Sequence, residues 1–197
     1  VKVESRDLGG NIIARAFTIT INNLNEDPTD ISITASAINE NVLSGAVVGS
    51  LTASDPDAGS TFTYTLVTGS GSTDNGSFTI GGADLRINSS PDYETRSIYS
   101  IRLRVTDQGG LTFEKVFTIT VNNLNENPTD IALSANSVNE GVAANTTVAT
   151  LSATDPDAGS TFNYTLVSGA GSTDNSAFTL TGNTLQINSS PDFETKN

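Results

Sequence analysis

Apolar and polar residues alternate with period two along nearly every apolar segment of this chain, and no segment shows helical spacing. Between Pro28 and Asn127 the alternation predicts seven strands, at about 31–38, 46–54, 61–67, 77–80, 84–88, 98–106 and 111–122. The joints are rich in Gly, Asp, Asn and Ser, as turns require, and Ile80-Gly81-Gly82-Ala83-Asp84-Leu85 reads as a hairpin. Tyr64, Leu66, Phe78, Leu85, Ile87, Ile101, Leu103, Val105, Phe117 and Ile119 are the expected core. Seven strands in one stretch of about 100 residues, with no helix, predict an all-β fold: a two-sheet, immunoglobulin-like Greek-key sandwich.

The pattern repeats. Shifted by 100 places, the sequence aligns with itself without a gap, and more than half of the paired residues are identical. Such a period is too long for a solenoid unit and matches one complete small domain. The decapeptide Asn22-Asn23-Leu24-Asn25-Glu26-Asp27-Pro28-Thr29-Asp30-Ile31 returns as Asn122 to Ile131 with one change. Each copy lies between alternating runs and is closed by a proline that denies an N–H to a continuing ladder, so it reads as a linker. The chain thus divides into the last strands and linker of one repeat (1–27), a complete repeat (28–127) and a third lacking its last two strands (128–197), in an elongated tandem array. Segments 1–27 and 128–197 hold complementary parts of one repeat. Two arrangements account for this: a continuous chain, which the positions of the breaks favour, or separate chains joined head to tail by strand addition.

Composition narrows the chemistry. With no cysteine and no histidine among 197 residues, a disulfide scaffold and a His/Cys zinc site are excluded. A formal charge of −13 argues against a nucleic-acid partner. It suits a solvated surface, a cationic partner, or metal ions held by carboxylates. No apolar run approaches the roughly 20 residues that span a bilayer, so membrane insertion of this segment is not expected, and no signal peptide is present.

Acidic clusters recur with the repeat. Glu40 and Glu140 follow the first strand, Asp55-Pro56-Asp57 and Asp155-Pro156-Asp157 the second. Asp92-Tyr93-Glu94 and Asp192-Phe193-Glu194 precede the sixth, and Asp7 and Asp107 end it. Singly these are ordinary turn and strand-end residues. In a Greek-key sandwich, however, the strand ends gather at two poles. That brings Glu40, Asp92 and Glu94 to the pole where the linker leaves, and Asp155 and Asp157 to the pole where the linker arrives. Like charges converging on a linker of Asn and Glu repel one another unless neutralised. Oxygen donors without nitrogen or sulfur are what Ca²⁺ prefers, at six to eight per ion.

The order Asn-Glu, Asp-x-Asp, Asp-x-Glu, x-Asp-x-Gly-Gly and Asn-x-Asn-Glu-x-Pro resembles cadherin repeats, nearest to the bacterial cadherin-like kind. The resemblance implies several Ca²⁺ ions between successive repeats. Glu40, Asp92 and Glu94 would ligate from one domain, Asn125, Glu126 and the Leu124 and Asn127 carbonyls from the linker, and Asp155 and Asp157 from the next. One joint earlier the set is Asn25, Glu26, Asp55, Asp57 and Asp107, and Glu140, Asp192, Glu194 and Asp7 are their counterparts in the partial repeats. Three features depart from animal cadherins: Asn23 and Asn123 are neutral where those linkers open with Asp, Glu26 and Glu126 stand where those linkers have the Asp before their last Asn, and the segment to the proline is one residue shorter. Fewer charges weaken such a site, and the lack of tryptophan removes any basis for tryptophan strand-swap adhesion.

The expected function is structural. The chain reads as a calcium-stiffened extracellular rod or stalk of a surface adhesin or secreted filament, its partners being neighbouring repeats. The alternative is a module binding polysaccharide or protein, for which exposed aromatic rows are too few. An enzyme lacks support: a glycosidase carboxylate pair is the one arrangement the composition leaves open. Two weaker signals are the sequons at Asn75, Asn88, Asn145, Asn163 and Asn188, and the glycine-rich loop 68–76, read as a flexible connector rather than a sugar-contacting loop.

Overall fold

The alternating runs form strands where a partner strand is present, and only there. In the computed structural model, which describes residues 1–195, the backbone divides into two compact units. One unit is Val1–Pro91 with Ile98–Val121, and the other is Asp92–Ser97 with Asn122–Asn197. The last two positions of the third expected segment lie outside the described residues.

The first unit contains the complete repeat as a β-sandwich. β1 (Lys2–Arg6) and β2 (Ile12–Ala16) precede it as a separate two-stranded hairpin. Then follow β3 (Asp30–Ile33), β4 (Ala37–Asn39), β5 (Val47–Ser54), β6 (Thr63–Leu66), β7 (Phe78–Gly81), β8 (Asp84–Ile87), β9 (Ile98–Thr106) and β10 (Thr112–Asn122). One sheet has the order β3-β5-β8-β7, the other β4-β10-β9-β6. The expected hairpin is present: β7 and β8 pair from Phe78↔Ile87 to Gly81↔Asp84, and Gly82 takes the positive φ of 66° that the two-residue turn requires.

The expected first strand, 31–38, is in fact two strands in different sheets. β3 pairs with β5, Thr34 donates its N–H to the Ser50 carbonyl, and then the chain crosses, so that the Ser36 carbonyl accepts from Thr120 N–H on β10. One continuous strand can cover only one sheet, and the crossing lets this segment close both. Gly49 makes room for it at the bulge in β5: a Cβ there would lie 2.7 Å from the Ala35 carbonyl oxygen.

The core lies between the two sheets. Phe78, Leu85, Ile87, Ile101, Leu103, Val105 and Ile119 are buried as expected, while Tyr64, Leu66 and Phe117 are half-buried and pack on the rim. Ile31, Ile38, Val48, Leu51, Tyr99 and Val121 complete the core. Phe78 and Tyr99 meet edge to face, with ring centroids 5.4 Å apart at 89°. At the sandwich margin Lys115 Nζ donates to Asp30 Oδ1 (2.6 Å) and to the Ile31 carbonyl (2.8 Å), tying β10 to β3.

Loop 68–76 is not a flexible connector. Asp74 Oδ2 accepts from Ser100 N–H and Asn75 Oδ1 from Arg102 N–H, while Asn75 Nδ2 donates to the Val67 carbonyl. Two side chains thereby continue the β6–β9 ladder where the main chain has turned away. Asp74 is 7% exposed.

In the second unit, β11 (Asp130–Leu133), β12 (Thr147–Thr154), β13 (Phe178–Thr181) and β14 (Thr184–Ile187) form one sheet in the order β11-β12-β14-β13. It reproduces β3-β5-β8-β7 register for register, including the bulge. The expected strand at 161–167 is absent, because β6 owes its strand geometry to pairing with β9 and no such partner is present among the described residues. Phe17–Ile21 likewise forms no strand: the residues that pair with Thr118, Ile119 and Thr120 of β10 have no counterpart among the described residues.

Leu103 is fully buried in the centre of β9. Leu103→Ala is expected to cost about 2–5 kcal/mol through the cavity it leaves, read as a lower urea midpoint for the complete repeat.

Candidate metal centre

The linker residues reach back to the Asp-Pro-Asp turn by short local geometry. In the first unit Asp55 Oδ1 accepts from the Asp57 N–H at 2.8 Å, closing the turn around the proline and fixing both carboxylates. Asp57 Oδ2 accepts from Glu26 N–H at 2.8 Å, and its Oδ1 accepts from Asn23 Nδ2. Asn25 Nδ2 donates to Asp107 Oδ2 at 2.6 Å, and Gln108 Nε2 holds Asn25 Oδ1 at 3.1 Å. Gly109 allows this approach, since a Cβ there would stand 2.5 Å from Asn25 Nδ2. Asn25, Glu26, Asp55, Asp57 and Asp107, which the resemblance to cadherin repeats implies as one set, are therefore drawn into one hydrogen-bonded neighbourhood.

The second unit repeats the arrangement. Asp157 Oδ2 accepts from Glu126 N–H at 2.8 Å, and Asp155 Oδ1 accepts from Asp157 N–H at 2.9 Å. Glu94, Glu126 and Asp157 each place one carboxylate oxygen within 4.8 Å of the others. Asn123 Nδ2 donates to Glu94 Oε1 at 3.0 Å, and Asn125 Nδ2 to the Glu126 carbonyl at 3.0 Å. Glu140, Asp192 and Glu194 form a further three-carboxylate group within the same 4.8 Å limit. Their counterparts Glu40, Asp92 and Glu94 stand at the same places one period earlier, and Glu40 is only 1% exposed. A carboxylate so withdrawn from water needs strong compensation. Asp7 stands apart: both its oxygens accept from Asn11, closing the β1–β2 turn.

Electrostatics follow the geometry. Asp57 is held below the ordinary carboxylate range, first by the Glu26 N–H and then by the Asn23 amide. Glu26 is raised, chiefly by the negative charge of Asp57. Asp92 is lowered by the main-chain N–H and hydroxyl of Thr95. At Asp107 burial pushes upward, but the Asn25 amide and the N–H groups of Leu111, Gly109 and Gly110 outweigh it and the carboxyl is lowered. Asp57 is therefore stabilised as an anion beside Glu26, which is penalised for being one.

The residues fit a hard divalent cation. The donors are carboxylate, amide and main-chain oxygens, with neither nitrogen nor sulfur in the set. In addition Asp55 Oδ2 is buried and has no hydrogen-bond partner among the described residues. Asn23, Asn123 and Gln108 are members of the network that the candidate ligand sets omit. The two asparagines recur with the repeat and were findable that way, whereas Gln108 has Leu8 as its counterpart and carries no repeat signal. At the sequons, the Nδ2 groups of Asn75, Asn88 and Asn188 donate to main-chain carbonyls, an arrangement a glycan on that nitrogen would break.

The sign of the Glu26 shift has a consequence. A raised folded-state pKa means the ionised carboxylate opposes folding, so this contribution to stability is present below the unfolded pKa and lost as pH rises through the folded one. Glu26→Gln is expected to raise the melting temperature in chelator at pH 7 and to flatten the fall in stability from acid to neutral pH. An unchanged pH profile would show that the Glu26–Asp57 repulsion is not felt.

Comparison with known proteins agrees with this architecture. Residues 34–122 match the family model "Cadherin domain". Over 168 residues the chain is 29% identical to mouse (Mus musculus) Protocadherin Fat 4, an alignment covering 79% of this chain and 3% of that protein, so the chain spans only a small part of its relative. Among solved structures it resembles human Protocadherin-24 EC1-2 with a TM-score of 0.65 at 20% identity, covering 88% of this chain and 82% of that one. It also resembles the Protocadherin GammaB4 extracellular domain with a TM-score of 0.59 at 22% identity, covering 99% of this chain and 33% of that one. The fold is therefore a cadherin-like β-sandwich, with residues 34–122 carrying the match to the cadherin domain.

Proposed function

We propose that this chain is a segment of an extracellular repeat protein whose linkers bind Ca²⁺ and are stiffened by it, serving as the rod or stalk of a surface adhesin or secreted filament. The observation that carries the reading is the grouping of Glu94, Glu126 and Asp157 about one linker. Bound there, Ca²⁺ would supply the positive charge that lets these carboxylates stay together. The chain's own residues do the rest. Asp155 orients Asp157, Asp157 anchors the linker at Glu126, and Pro128 stops the preceding strand from running on. Asn25, Glu26, Asp55, Asp57 and Asp107 play the same parts at the earlier linker. The matched protocadherin GammaB4 segment is an extracellular domain, which supports the location.

A carbohydrate-binding module is the weaker reading. Phe78 and Tyr99 are buried, and Phe62 and Tyr64 pack against the same core, so no aromatic row of the complete repeat is left for a sugar face. Cadherin domains are adhesion modules, which fits a non-enzyme reading.

Extracellular modules bind Ca²⁺ with constants around 10⁻⁴–10⁻³ M, so millimolar calcium is the working range. At a free concentration 100-fold above the constant, each site stabilises the folded state by about 2.7 kcal/mol. A chelator is expected to lower the melting temperature and to expose Asn122–Pro128 to protease. An identical melt and cleavage pattern with and without chelator would sink the reading.

Asp157→Ala is expected to weaken calcium binding, read by calorimetric titration, while leaving the calcium-free melt of the complete repeat nearly unchanged. Leu103→Ala is expected to do the reverse. If Asp157→Ala unfolded the repeat as Leu103→Ala does, linker and core would not be separable in this way.

A further inference from the structure

Asn75-Gly76 is the one Asn-Gly pair in the sequence, and it lies in the complete repeat where side chains take over from the β6–β9 ladder. Asn75 uses both ends of its amide there. Its Oδ1 accepts from Arg102 N–H at 2.9 Å, its Nδ2 donates to the Val67 carbonyl at 2.9 Å, and Val67 N–H donates to the Arg102 carbonyl at 3.0 Å. The flanking residues are pinned as well. Asp74 N–H donates to the Ser100 carbonyl at 3.0 Å, and Phe78 is buried at 3% exposure. Gly76 between them is exposed, and nothing lies within 4 Å of the place a Cβ would occupy.

A reactive pair is thus joined to a bond that only the unreacted amide can make. The main-chain nitrogen after an asparagine can attack the side-chain carbonyl carbon, and glycine, lacking a side chain, hinders that attack least. We propose that Asn75 is a site of spontaneous deamidation, with water as co-reactant, which the clamp on β9 holds back and which loosens loop 68–76 once it has occurred. In the first step the Gly76 nitrogen gives up its proton and bonds to Asn75 Cγ. The Cγ–Nδ2 bond breaks, and the side-chain nitrogen leaves as ammonia with that proton. Water then opens the cyclic imide at either of its carbonyls, leaving aspartate or isoaspartate. No oxidant or reductant takes part.

The clamp decides when the first step can happen. Ring closure turns Cγ onto the Gly76 nitrogen, so Oδ1 must leave Arg102 and Nδ2 must leave Val67. Reaction therefore waits for local opening of the loop. Afterwards the loop cannot close as before. In aspartate an oxygen stands where Nδ2 stood, 2.9 Å from the Val67 carbonyl oxygen, and two acceptors face each other without a proton between them. In isoaspartate the main chain gains a carbon between Asp74 and Phe78, both held in place.

The test is incubation of the whole chain at mildly alkaline pH, native and in urea, with peptide mapping by mass spectrometry. In urea Asn75 is expected to convert before every other asparagine. In the native chain its conversion is expected to be at least about tenfold slower, since an opening populated at about 10% or less passes only that share of the unfolded rate. Gly76→Ser puts into the complete repeat the residue that Ser176 supplies in the next, and open space receives it. That variant is expected to slow conversion in urea several-fold and to leave the melt unchanged. Asn75→Asp, the product itself, is expected to speed hydrogen exchange at the Val67 N–H, which Gly76→Ser is not. Conversion led by another asparagine, or undiminished in Gly76→Ser, would overturn the site. Equal rates native and in urea would overturn the clamp, and unchanged Val67 exchange in Asn75→Asp would overturn the loosening.

Discussion

A β-sheet with an apolar face must have something laid over it, and most of this structure follows from whether that condition is met. In the complete repeat the long β9–β10 ribbon meets it. Its inner side buries Ile101, Leu103, Val105 and Ile119 against the facing sheet, and its edges recruit β4 and β6. Burial of this kind is the dominant favourable term in folding. The four-stranded sheet of the second unit has the same strands in the same register, yet among the described residues only Ala149 and Ile187 of its apolar positions are buried. Identical local pairing thus yields a core in one place and an exposed surface in the other.

The linker poses the opposite problem, gathering charge where the sheets gather apolar surface. Asp57 and Asp157 are tied to the linker by main-chain N–H groups; at Asp57 that contact favours the ionised form, while Glu26 is pushed toward protonation by its neighbour. Such a linker is poised rather than settled without a cation. The cadherin-like architecture and the all-oxygen donor set thereby become parts of one argument, because the fold brings together carboxylates that the fold alone does not neutralise.

Much of this was legible in the chain. Strict alternation over Ile101, Leu103 and Val105 placed β9 with its inner face, and the 100-residue period placed the acidic clusters on the linkers. What escaped had physical causes. The break between β3 and β4 shows only as a slip in parity: Ile31 and Ile33 are odd, but the next buried position is Ile38. The bulge in β5 is marked only by Gly49, whose lack of a side chain matters because of where Ala35 lies. Asp74 and Asn75 read as loop residues because replacing a strand with side chains leaves no periodic trace. Gln108 bonds Asn25 across 83 residues, and no local pattern announces such a contact.

The crossing of β3 into β4 also decides how the repeat would carry load. The strand by which the chain enters the complete repeat and the strand by which it leaves are bonded directly, at Ser36–Thr120 and Asp30–Lys115. Tension applied at Pro28 and Asn122 acts on the two strands that these contacts join. The sandwich is held shut by its own ends. A few polar bonds tie the entering strand to the leaving one, which is how a latch works and a hinge does not.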